Sequence, residues 1–126
     1  MSKKRVLIID DEENFTKLVK LNLEKTNMYE VSVENEGKRG LAAAKMFKPD
    51  LILLDLSMGD VEGSEVAYQI KNDNTLSNIP IVFLTAVLTK DESSLSGDAI
   101  GGYPFVAKPV STGELISCIE KNVNKS

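Results

Sequence analysis

Residues 51–63 read LILLDLSMGDVEG: four aliphatic residues, an aspartate, then a mixed stretch broken by Ser57, Gly59, Asp60 and Gly63. An unbroken aliphatic block of this length, closed by turn-forming residues, suits a strand buried on both faces. The same signature recurs at Arg5–Ile9 and Ile81–Leu84, and more briefly at Phe105–Ala107. Tyr29, Val31 and Val33 instead alternate with polar neighbours, which predicts a sheet-edge strand with one face partly open. Between these blocks lie helical spacings: Phe15, Leu18 and Val19, then Leu41 with its alanine-rich run, then Val66 and Ile70. The last helix is announced by Ser111 and Glu114, an S-x-x-E capping box, followed by Leu115, Ile119 and Val123 at steps of four. Strands and helices in strict alternation predict an α/β fold: a doubly wound, five-stranded parallel sheet with helices on both faces and right-handed crossovers.

Composition narrows the function classes. The 126 residues suit one domain, here 1–126 with a core from about residue 5 to residue 123 and a short polar tail. With 42% hydrophobic and 27% charged residues the chain reads as an ordinary soluble protein. Its aliphatic blocks fall well short of the roughly 20 residues a membrane span needs. The start, Met1-Ser2-Lys3-Lys4-Arg5, runs too soon into Asp10 for a signal peptide, so a cytoplasmic location is expected. A net charge of -4, without lysine or arginine clusters interleaved with aromatics, argues against direct nucleic-acid binding. Cys118 is the one cysteine and sits in the apolar spacing of the last helix, so it reads as a packed thiol. The absence of histidine removes imidazole as base, nucleophile or metal ligand, leaving carboxylates, hydroxyls and lysine.

In an open parallel sheet the functional crevice lies at the carboxyl ends of the strands. The first strand ends in Asp10-Asp11, the third in Asp55, the fourth in Thr85 and the fifth in Lys108-Pro109. Each has an ordinary reading by itself. The acidic run Asp10-Asp11-Glu12-Glu13 complements a helix dipole, Asp55 and Thr85 end strands, and Lys108 is a surface charge before a proline. Their convergence on one edge is what points to chemistry. Clustered carboxylates repel one another and must bind a proton, a cation or an ammonium group. An all-oxygen set favours magnesium, which takes a few carboxylates plus phosphate oxygens, and an aspartate can itself accept a phosphoryl group as an acyl phosphate. Asp55 is the best placed nucleophile.

The stretches VLIIDDEENF from Val6, LILLDLSMGDVEG from Leu51, IVFLTA from Ile81 and FVAKPV from Phe105 together resemble the response-regulator receiver family of two-component signalling. The likeness runs from Val6 to about Val123. It implies a (βα)5 fold of flavodoxin-like strand order 2-1-3-4-5. It further implies that phosphoryl passes from a sensor histidine kinase or histidine phosphotransfer protein to Asp55. By the same resemblance Asp10, Asp11, Asp55 and the backbone carbonyl of Ser57 hold Mg2+, and Lys108 pairs with the phosphate. Thr85 becomes the switch hydroxyl, whose shift draws in Phe105 and reshapes the surface of the fourth helix, fifth strand and fifth helix. Such a protein is a switch, not an enzyme in the ordinary sense. It signals to a downstream protein target, relays the phosphoryl onward or forms a phosphorylation-linked homodimer, and the sequence does not choose among these.

Two departures from the family pattern stand out. Gly59 replaces the usual proline, which predicts a looser loop beside Asp55 and a modest loss of metal affinity. Residues from about 88 to 103, rich in serine and glycine, predict a short, frayed or displaced fourth helix. Ser57 and Val87, two residues beyond Asp55 and Thr85, are the positions the family uses to tune phosphoryl lifetime. No linker marks an attached output domain. Three other readings compete. An aspartate-based phosphatase of the haloacid dehalogenase type places a second aspartate where Ser57 stands. A flavodoxin-like flavin site would set its phosphate against Asp10-Asp11-Glu12-Glu13. A phosphorylation-independent interaction module would have no need of the intact Asp10, Asp11, Asp55, Thr85 and Lys108 set.

Overall fold

The computed structural model describes residues 3–86, 99–100 and 102–123, the pair 99–100 as backbone only. In chain order the elements are β1 (Lys4–Ile9), α1 (Glu13–Glu24), β2 (Tyr29–Glu34), a single 3-10 turn (Gly37–Arg39), α2 (Gly40–Phe47) and β3 (Leu51–Asp55). There follow α3 (Gly63–Lys71), β4 (Ile81–Thr85), β5 (Ala99–Ile100), β6 (Tyr103–Ala107) and α4 (Thr112–Val123). They form one sheet of order β2-β1-β3-β4-β6-β5. The first five are parallel, in the order 2-1-3-4-5 that the family resemblance implies, with β6 as the fifth parallel strand.

The sheet carries one strand more than expected. Ala99 and Ile100 pair antiparallel with Pro104 and Tyr103, across a turn in which Gly102 takes φ +88°. A positive φ is cheap for glycine and lets the chain reverse within two residues. The end of the serine- and glycine-rich segment, where a short, frayed or displaced fourth helix was expected, is therefore a short edge strand. The remainder of that segment, 87–98, and with it Val87, lies outside the described residues.

Side-chain alternation along the strands divides the core into two layers. On one face Val6, Ile8, Leu51, Leu53, Val82 and Leu84 pack with Val19 and Leu23 of α1 and Leu115 and Ile119 of α4. On the other, Leu7, Ile9, Ile52, Leu54, Ile81 and Phe83 meet Ala44 of α2 and Val66, Ala67 and Ile70 of α3. β1 and β3 are neighbours, each flanked on both sides, so their continuous aliphatic runs are buried on both faces, as the sequence suggested. β2 is the edge strand its alternation predicted, with Tyr29 and Val31 buried and Glu30 exposed.

α4 starts where the capping box placed it: the Glu114 N–H donates to Ser111 Oγ at 3.1 Å, and the Ser111 N–H to Glu114 Oε1 at 3.2 Å. Its far end is tied to the sheet by Glu120, which accepts from Lys4 Nζ at 2.7 Å and from the buried Tyr29 hydroxyl at 2.5 Å. Cys118 is half-buried, and burial pushes its thiol pKa up, in line with a packed and unreactive role. No helix among the described residues is long and apolar enough to cross a membrane.

Candidate metal and phosphoryl site

Parallel register brings the strand ends to one level. Ile9 lies beside Leu54, Asp55 beside Leu84, and Thr85 beside Ala107. Asp10 and Lys108 extend the ladder by one step, their amides donating to Glu34 O at 3.0 Å and Thr85 O at 2.7 Å. Asp10, Asp55, Thr85 and Lys108 thus emerge from four adjacent strands at one edge. Asp10 is wholly buried, while Asp55 and Thr85 keep 4% and 8% exposure.

Asp10, Asp11 and Asp55 each offer an oxygen, all within 4.8 Å of one another. Asp10 Oδ1 is held by the Glu12 N–H at 2.9 Å. Its other oxygen, Oδ2, is buried without an aligned hydrogen bond, although the Lys108 ammonium lies 2.6 Å away. A buried carboxylate oxygen with incomplete hydrogen bonding, facing two further carboxylates, is a donor set that suits a hard divalent cation. The residues present therefore fit magnesium. Asp11, more exposed, is tied to the following loop by the Gly59 N–H, which donates to its Oδ2 at 3.0 Å.

Asp55 carries the electrostatic cost of this crowding. Burial, then the neighbouring Asp10 charge, push its carboxyl up to about 6, against the opposing pull of Lys108 and of the Ser57 N–H, which donates to Asp55 Oδ1 at 3.3 Å. Gly63 closes the site from below. Its amide donates to Leu56 O at 2.9 Å, and any side chain there would run into the Asp55 carbonyl. Lys108 responds in the opposite sense: burial alone would depress its ammonium, but contact with Asp10 and Glu12 and the field of Asp55 outweigh that and raise it.

Of the residues singled out from sequence, Asp10, Asp11, Asp55, Thr85 and Lys108 converge on this edge, and Ser57 follows directly on its loop. Phe105 lies one strand over, paired in register with Phe83 and half-buried at the margin of the second core layer. Beside it Tyr103 meets Phe83 edge-on at 5.3 Å between centroids.

Sequence reasoning missed four contributors. Glu12 accepts a hydrogen bond from Lys108 at 2.6 Å, and the Phe15 ring lies under the same ammonium, 4.4 Å from its centroid. Asn35 braces the Asp10 carbonyl at 2.8 Å, and Gly63 lets the chain pass beneath Asp55. Glu12 was visible as part of an acidic run. Its pairing with Lys108, 96 residues away, was not.

Fold and site together define a doubly wound α/β domain with an acidic, lysine-bearing crevice at its strand ends. The family model for the response regulator receiver domain matches residues 6–120, and the chain belongs to that family. It is similar to the nisin biosynthesis regulatory protein NisR of Lactococcus lactis subsp. lactis, 34% identical over 121 residues, covering 96% of this chain and 51% of that protein. With the alkaline phosphatase synthesis transcriptional regulatory protein PhoP of Bacillus subtilis it shares 33% identity over 125 residues, 98% of this chain and 50% of that one. The chain thus spans about half the length of these relatives, which are regulators by name. Among solved structures, a CheY-like receiver domain protein from Methanospirillum hungatei JF-1 gives a TM-score of 0.81 at 27% identity, covering 98% of this chain and 96% of that one. The chemotaxis protein CheY4 of Vibrio cholerae also gives 0.81, at 24% identity over 95% of this chain and 98% of that one, a likeness of fold.

Proposed function

We propose that this chain is a phosphorylation-operated switch of a two-component system, with Asp55 as phosphoryl acceptor. The observation that carries the reading is the meeting of three carboxylates within 4.8 Å beside a lysine pressed against one of them. An Asp55 oxygen attacks phosphorus in line, the bond from phosphorus to the donor imidazole nitrogen breaks, and the imidazole leaves with a proton from solvent. Asp10, Asp11, Asp55 and the Ser57 carbonyl would hold magnesium, which when bound would supply charge neutralisation for the transferring oxygens. Lys108 pairs with the product phosphoryl, and Thr85 offers its hydroxyl to the same group. The movement of Thr85 leaves room for Phe105 to turn inward, so that phosphorylation shifts the population of two surface states around β6 and α4.

The donor in this reading is a sensor histidine kinase or histidine phosphotransfer protein, met by this chain in the cytoplasm. The surface assigned to it is the groove of about 390 Å³ between α1 and α4, lined by Phe15, Leu18, Val19 and Leu115 and sharing Glu12 and Lys108 with the site. The output is recognition by a downstream protein or onward relay of the phosphoryl group. Intact mass after incubation with magnesium and acetyl phosphate tests the core of the proposal. One added phosphoryl group is expected, absent for Asp55→Asn and in metal-free buffer. Failure to gain mass, joined by failure to bind magnesium, would leave a phosphorylation-independent binding module in its place.

A further inference from the structure

Glu12 occupies the position just before α1, where a side chain ordinarily caps the helix, yet it makes no capping hydrogen bond. Its carboxylate instead reaches across the crevice to Lys108, at 2.6 Å from Nζ. The ammonium is thereby shared between buried Asp10 and largely exposed Glu12, with the Phe15 ring beneath it. Among the described residues its ion pairs within 4.0 Å are these two, and Asp55 is not one of them.

We infer that Glu12 is a positioning residue that parks Lys108 away from Asp55, so that a phosphoryl group on Asp55 must win the lysine from it. The inference rests on the acceptor reading above and adds a regulatory element to it. A cation on Asp10 competes for the lysine's buried partner, but leaves the Glu12 contact in place. The remaining pull then sets how completely Lys108 follows the phosphoryl group. Because Glu12 is 61% exposed at its side chain, solvent screens the attraction and the effect is graded.

The experiment is a titration of the wild-type chain, Glu12→Gln and Glu13→Gln with beryllium fluoride, a phosphoryl mimic, at saturating magnesium, followed by amide NMR shifts. Glutamine keeps the shape of Glu12 and removes its charge, and Glu13 is the next carboxylate along the chain, in the first turn of α1. Glu12→Gln is expected to tighten binding about two- to fivefold at low salt, less at high salt, with Glu13→Gln changing it by less than about 1.5-fold. The Lys108 ammonium signal should also broaden in metal-free Glu12→Gln, as its protons exchange faster with water. Unchanged or weaker binding by Glu12→Gln, or an equal gain from Glu13→Gln, would overturn the parking role while leaving the acceptor reading intact. A wild-type chain that fails to bind the mimic at all would overturn both.

Discussion

The two sides of the crevice are built differently. Asp10 and Asp55 leave β1 and β3, adjacent strands flanked on both sides and buried through both layers of the core. Phe105 belongs to β6, which has only the two-residue β5 as its outer neighbour and keeps Tyr103 to Val106 partly buried, whereas Thr85 ends β4, an inner strand buried along its length. A carboxylate cluster that must hold charges close together needs a frame that does not relax. In the proposed reading, an aromatic that turns inward when phosphate arrives needs lighter cover. On that reading one sheet edge supplies both by strand position: the carboxylates of β1 and β3 are central, and Phe105 on β6 is marginal.

The contrast is broken most directly by deleting apolar volume on each side. Leu53 in β3 and Val106 in β6 point into the same core layer, the first fully buried and the second partly. Leu53→Ala is expected to cost about 2–5 kcal/mol of unfolding free energy, while Val106→Ala costs about 1 kcal/mol or less. Urea denaturation of the two variants, with unchanged m-values, measures this. Equal losses would mean that β6 is as firmly held as β3, and the asymmetry argued above would fall.

A second test concerns the charge that the rigid side must tolerate. In metal-free buffer the folded Asp55 carboxyl titrates near 6 rather than at its ordinary 3.8. A raised carboxyl favours the protonated form in the folded state. Its contribution to stability is therefore fully present below the unfolded value, and is lost as pH rises through about 6. Asp55→Asn, which carries no charge at any pH, should be more stable than wild type by about 1–3 kcal/mol at pH 7.5, the gap closing between pH 6 and 4. Thr85→Val, an uncharged change at the end of β4, should leave the slope of stability with pH as it is in wild type. Thermal melts in EDTA across that range decide it, and a pH-independent gap would show that Asp55 is not under electrostatic strain.

The same division governs how much was legible beforehand. Central strands announce themselves, because burial on both faces demands aliphatic runs such as Val6 to Ile9 and Leu51 to Leu54. The residues that follow such runs then fall at the sheet edge by geometry alone, which is why Asp10, Asp55, Thr85 and Lys108 were found. Hydrogen bonding between distant side chains leaves no local pattern. Glu12 to Lys108 and Asn35 to Asp10 were therefore invisible, although both partners of the first had been noted for other reasons. The short strand Ala99–Ile100 escaped because two residues carry no periodicity, and the glycines around 101–102 spoke only against a helix. Gly63, read as one more small residue in a loop, has a role set wholly by the Asp55 carbonyl packed against it.

Gly59 offers the finest test, because sequence and structure pull its interpretation in opposite directions. From sequence, glycine in place of the family's proline predicts a looser loop and weaker magnesium binding. In the structure the Gly59 amide donates to Asp11 Oδ2 at 3.0 Å, a hydrogen bond that proline cannot make. A carboxylate held at one oxygen has less freedom to lose when its other oxygen takes a cation, so the bond should favour binding by something near the net worth of one hydrogen bond. Gly59→Pro is accordingly expected to weaken magnesium affinity about two- to fivefold, close to 0.5–1 kcal/mol. Gly59→Ala keeps the N–H and adds a methyl group 3.7 Å from Asp11 Oδ2, an ordinary contact, so its affinity should stay within about twofold of wild type. Calorimetric titration with magnesium separates the cases. Tighter binding by Gly59→Pro, with Gly59→Ala again near wild type, would mean that loop entropy outweighs the Asp11 contact, and that the charged side of the crevice owes its order to the strands and not to the loop above them.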